Sequence, residues 1–208
     1  MKQNIGMTES LSPLGKLRPA SPRIAPLVDL TDELHVIMGG GINSPAGTPL
    51  NIFGTIAHHP KLLKRFMNFA GLFLNKGLLP AREREIVILR VGWNCQSVYE
   101  FGQHTIIGQR VGLSLSEIEA LTKNSNAYKW SKRDSALIAM SDELCADNCV
   151  SEATWRNPII RGHIWIYIKC KAVHCYALCN TNSDSCDLTV TLLISNPHTR
   201  ATIDALCF

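Results

Sequence analysis

Ser97, Glu100 and His104 stand at i, i+3 and i+7, so in a helix a hydroxyl, a carboxylate and an imidazole share one face. That is a proton-handling set. His104 follows Glu100 by one turn, close enough for the carboxylate to orient the ring and raise its basicity. Glu85 lies on the preceding helical run, which breaks near Gly92-Trp93-Asn94, and the break lets this second acid fold back against the same pocket. A purely structural reading stands beside it. Ser97-x-x-Glu100 is also a capping box, and Glu/His pairs at i,i+4 are common on solvated helices.

The elements that must position these groups read as helices. Between Pro60 and Pro80, Leu62, Leu63, Phe66, Phe69, Leu72 and Phe73 recur at three and four, which predicts one buried face. Arg82 to Gly92 supplies Ile86, Leu89 and Val91 on a second helix entered after Pro80. The third begins near Ser97 and ends at Gly112, a suitable C-terminal cap. Ser114-x-x-Glu117 opens a short fourth helix, Ser131-x-x-Asp134 opens a fifth through Leu144, and Lys123 to Lys129 reads as a polar loop between them.

Composition narrows the class. A chain of 208 residues with 46% hydrophobic content can bury a sizeable core, and it predicts one domain. The net charge of +4 is scattered without a basic run, which argues against nucleic acid as a partner. No apolar segment approaches the roughly 20 residues needed to cross a bilayer. Met1 to Pro22 carries two Ser-Pro steps and no apolar stretch of signal-peptide kind; it reads as a flexible leader, and a cytoplasmic location follows. Gly39-Gly40-Gly41 with Asn43 lacks a Walker lysine and reads as a flexible loop. His58-His59-Pro60 reads as a helix start, with at most one imidazole lining the pocket and no metal site, because adjacent histidines point in different directions.

Four stretches in order, Asn51-Ile-Phe-Gly-Thr-Ile-Ala-His58-His59-Pro60, Leu79-Pro80-Ala81-Arg82-Glu83-Arg84-Glu85, Trp93-x-Cys95-x-Ser97-x-Tyr99-Glu100-x-x-Gln103-His104 and Gly112-Leu113-Ser114, resemble the carboxymuconolactone decarboxylase family, of the alkyl hydroperoxidase D-like fold. The likeness covers about residues 22 to 155 and closes on Ser151-Glu-Ala-Thr-Trp155. It implies an all-α bundle over residues 23–155, flanked by the leader, 1–22, and a divergent tail, 156–208. It also implies a homo-oligomer, a trimer or hexamer.

The resemblance implies two chemistries. Redox members carry Cys-x-x-Cys just ahead of the histidine, where this chain has Ser97 and Glu100, and neither can form a disulfide. What remains is acid–base decarboxylation. A β-keto acid or carboxylactone has its own electron sink in the neighbouring carbonyl, so no metal or organic cofactor is required. The enzyme holds the carboxylate, stabilises the enolate as CO2 departs and protonates carbon. In this reading His104 is the proton donor, Glu100 its orienting partner and Glu85 a second acid or base. Arg90 would bind the carboxylate of a small-molecule substrate, an oxo-acid or a polyketide-type intermediate of secondary metabolism. Ser97 and Tyr99 would donate to the enolate oxygen, and Cys95 would line the pocket or pack in the core. The alternatives are a thiol peroxidase or oxidoreductase and a catalytically silent, truncated subunit of an oligomer.

The last quarter departs from the family's pattern. Five of the eight cysteines lie there, with Ile164, Ile166 and Ile168 and an alternating run from Leu188 to Ile194 that suits short strands. Cys170, His174, Cys175, Cys179 and Cys186 match no zinc-site spacing, and disulfides suit a reducing compartment badly. A read-through intron or a shifted frame in place of the family's last helices is the favoured reading, and weak activity would follow from it.

Overall fold

The computed structural model describes residues 9–11, 17–19, 24–39, 48–75 and 79–161. The expectations for Gly40 to Asn43 and for the cysteine-rich stretch from Cys170 onward lie outside the described residues. The fold is all-α but for one short ladder, in which β1 (Glu9–Leu11) pairs antiparallel with β2 (Leu17–Pro19) inside the expected leader.

The chain divides into two compact units, one holding the described residues up to Asn75 and the other those from Leu79. Each unit closes its own core. In the first, α1 (Asp32–Met38) is capped by the Thr31 side chain and ends at Gly39, φ 64°. It packs with α2 (Asn51–Ile56) and α3 (Pro60–Asn75) around Leu34, Met38, Ala57 and Leu63. The histidine pair starts α3: the Leu62 amide donates to His59 Nδ1 at 3.1 Å, and His58 Nε2 lies 2.9 Å from the Ala25 carbonyl. Of the apolar positions on α3, Leu63 is fully buried while Leu62, Phe69 and Leu72 are exposed, so the expected single buried face is narrower than the spacing suggests. At Gly54 the backbone passes so close to its neighbours that a Cβ would meet the Leu27 carbonyl oxygen at 2.7 Å. Only glycine fits there.

In the second unit α4 (Ala81–Asn94) is the central element. Its residues from Glu85 to Gly92 are all buried, the mark of a helix enclosed on every side. Ile86 and Leu89 face Leu113, Ile118, Leu121 and Ile138. Val87 and Val91 face Leu137, Met140, Leu144 and Ile160. Around it lie α5 (Val98–Arg110), α6 (Leu115–Ala120) and α7 (Lys132–Asp147). The Ser114–Glu117 capping box opens α6, the Ser131 hydroxyl accepts from the Asp134 amide at the start of α7, and Gly112 follows α5 at φ 96°. All three agree with the sequence. Beyond the expected boundary at Trp155, α8 (Glu152–Arg156) and α9 (Pro158–Arg161) continue the unit, and Ile160 is wholly buried in the cluster of Val87 and Leu144. The packed unit therefore runs into the segment assigned to the divergent tail.

Candidate active site

The turn from α4 to α5 sets the geometry. The Ser97 amide donates to the Gly92 carbonyl and the Gln96 amide to the Trp93 carbonyl, both at 2.9 Å. This pair of bonds is a Schellman closure. Its left-handed position, φ 58°, is filled by Gln96 where glycine is usual, and a side chain held in that region costs about 1–3 kcal/mol. Gln96 Nε2 donates to the Trp93 carbonyl at 2.7 Å, and the Trp93 and Phe101 rings meet edge to face at 5.9 Å across the turn. The closure takes three residues, Cys95 to Ser97, so α5 starts where α4 stops.

Close passage of the helices does the rest. A Cβ at Gly108 would stand 3.1 Å from Leu113 Cδ1 and 3.4 Å from Leu89 Cδ1, with Glu85 Cβ just beyond. The bare backbone there admits Glu85 to the face of α5 that carries His104. Glu85 Oε2 lies 2.5 Å from His104 Nδ1, and Glu100 Oε1 lies 3.3 Å from Nε2. Side-chain exposure is 0% for Glu85, 7% for Glu100 and 11% for His104. The structure thus brings together all three groups expected to act on protons. It also exchanges two places: Glu85, nineteen residues away, holds the ring tightly, while Glu100 forms the looser contact.

Two ionised carboxylates, which only accept, flank both ring nitrogens. A ring with hydrogen on both nitrogens, the imidazolium, can donate to both of them. Burial opposes that charge, but Glu100 and Glu85 outweigh it and push the His104 pKa up to about 9. Burial likewise opposes ionisation of Glu85, yet hydrogen bonds and charge from His104 and Arg84 hold its carboxyl below the usual range.

The remaining expected residues divide. Ser97 is the N-cap residue of α5, but it makes no cap bond, so the capping box does not form. Its hydroxyl is buried with no hydrogen-bond partner among the described residues, beside the turn that leads to Glu100. Cys95 packs in the cluster of Val87 and Val91, and Tyr99 is half-buried. Arg90 is tied into the scaffold: Nε and Nη2 donate to Asp142 at 2.5 and 2.9 Å, and Nη1 donates to the Leu121 and Lys123 carbonyls at 2.7 Å. A groove of ≈ 630 Å³ between Trp130, Ala136 and Ile159 shares no lining residue with the His104 cluster. Among the described residues no group of three His, Cys, Asp or Glu side chains is arranged to hold a metal ion. Sequence reasoning missed Arg84, whose only signal was adjacency to Glu85, and Gln96, which carries no signal because the motif it completes favours glycine.

Residues 60–142 match the family model described as "Carboxymuconolactone decarboxylase family". That segment is similar to this family. The matched segment contains Glu85, Ser97, Glu100 and His104. No curated protein and no solved structure matches the chain. No helix among the described residues is long and apolar enough to cross a membrane.

Proposed function

We propose that the second unit is a cofactor-free acid–base catalyst that decarboxylates a small β-keto acid or carboxylactone through an enolate. One observation carries this reading: the two ring nitrogens of His104 lie 2.5 and 3.3 Å from two buried carboxylates, with serine and glutamate at the positions a dithiol would occupy. As the bond between the α-carbon and the carboxylate breaks, its electron pair moves into the adjacent carbonyl and CO2 leaves. Ser97 Oγ, which has no hydrogen-bond partner among the described residues, donates to the enolate oxygen. His104 then gives its Nε2 proton to the α-carbon, while Glu85 keeps hydrogen on Nδ1 and so fixes the neutral tautomer that results. Glu100, at the looser edge, returns a proton from solvent to Nε2. Arg90, its donors engaged by Asp142 and two carbonyls, holds α7 and the loop after α6 in this scheme. Assembly into a homo-oligomer, and a place in secondary metabolism, belong to the same proposal.

The test is CO2 release from a panel of β-keto acids and carboxylactones. His104→Gln is expected to lower the rate by about 10²–10⁴-fold, the usual worth of general acid catalysis; parental activity in that variant refutes the assignment. Thiol peroxidase chemistry is checked by hydroperoxide consumption, and none is expected, since Cys95 is enclosed by aliphatic side chains. Turnover abolished by Cys95→Ser would replace the acid–base reading.

A further inference from the structure

Both oxygens of Glu85 are claimed. Oε2 accepts from His104 Nδ1 at 2.5 Å and Oε1 accepts from Arg84 Nε at 2.7 Å, with Arg84 itself only 13% exposed along its side chain. A guanidinium, a carboxylate, an imidazolium and a second carboxylate thus stand in line with alternating sign. Of the other charged groups on these elements, Arg110 of α5 and Lys132 and Asp147 of α7 are exposed, and the arginines of α4 and α7 are engaged elsewhere. Arg82 bonds Asp134 and Glu117, Arg133 bonds Glu83, and Arg90 bonds Asp142.

We propose that Arg84 is a positioning residue, which fixes the Glu85 carboxylate so that Oε2 faces His104 and remains a pure acceptor. The inference deepens the acid–base reading above and rests on it for its catalytic meaning. A carboxylate buried beside an imidazolium has a competing state in which the carboxyl is protonated, because a dry site disfavours charge. Arginine stays charged at every relevant pH, so it opposes that state. Contact at both oxygens also stops rotation about the terminal bond of Glu85, which would otherwise swing Oε2 off the ring. With Oε2 held, Nδ1 keeps its hydrogen and Nε2 is left as the edge that exchanges protons.

The experiment needs no substrate. In the full chain labelled with [13C]glutamate, the Glu85 carboxyl signal, assigned by its loss in Glu85→Gln, is followed as pH is lowered from neutrality. Arg84→Gln is expected to raise the proton affinity of Glu85 about tenfold, moving its midpoint to higher pH, and Arg84→Lys to restore part of that change. A purely structural role would broaden signals or lower stability and leave the midpoint in place. An unmoved midpoint in Arg84→Gln, or in Arg84→Met should the first variant not fold, overturns the proposal. If the midpoint moves while the parent releases no CO2 from any substrate, the decarboxylase reading fails and the role of Arg84 stands.

Discussion

Raising the pH should destabilise this protein through His104. In the unfolded chain the imidazole titrates near 6.5; in the folded protein the flanking acids push it up to about 9. A group whose folded pKa exceeds its unfolded value stabilises the fold fully below the lower figure and ceases to do so as pH rises through the upper one. The gap between 6.5 and about 9, at ~1.4 kcal/mol per pH unit, amounts to about 3 kcal/mol. That is a large share of the roughly 5–15 kcal/mol that separates folded from unfolded states in ordinary domains. Urea titrations of the full chain at pH 6, 7, 8, 9 and 10 measure it, with His104→Gln as the reference, because both chains carry the same cysteines and lysines and their ionisation cancels. The parent is expected to lose about 3 kcal/mol more than the variant between pH 6 and pH 10. Equal slopes for the two chains would show that His104 is not held charged by Glu85 and Glu100, and the reasoning from geometry would fail with them.

Removing the tight acid tests the other half of the clamp: Glu85→Gln takes a negative charge from Nδ1, so the His104 midpoint, read by ring 15N shifts, should fall from about 9 toward 6.5. Any activity that needs the imidazolium should lose its alkaline limb at correspondingly lower pH. Arg90→Ala, which strips Asp142 of its charged partner and two carbonyls of their donor, should cost about 2–4 kcal/mol in denaturant titration; a raised KM at unchanged stability would instead return Arg90 to the substrate. Gln96→Val, a β-branched residue forced to φ 58°, should destabilise by about 1–2 kcal/mol while Gln96→Gly stays within about 1 kcal/mol of the parent. Equal thermal midpoints for the two would refute the turn geometry.

Much of the scaffold is written in local chemistry that a single chain displays. Pro80, the Ser114–Glu117 pair and the Ser131–Asp134 pair mark helix starts because capping is a transaction between residues three apart. The company of Glu100 and His104 is legible for the same reason, being one turn of one helix. The primacy of Glu85 is not, since its approach depends on a turn built on Gln96 and on the absence of a side chain at Gly108. Spacing likewise does not say which arginine serves the site. Arg84 and Arg90 look alike in sequence, and only packing reveals that one reaches Glu85 and the other Asp142. On α3 the apolar period overstates burial, because periodicity reports a stripe and not what covers it.

A centre of charge threaded through the best-packed helix of the unit sets folding and working against each other. Eight successive residues of α4 are buried, and aliphatic side chains of equal bulk at positions 85, 100 and 104 would pack there without the expense of dehydrating ions. A culture selected only for heat resistance should therefore discard these three residues early, arriving at a sturdier molecule that has forgotten its task.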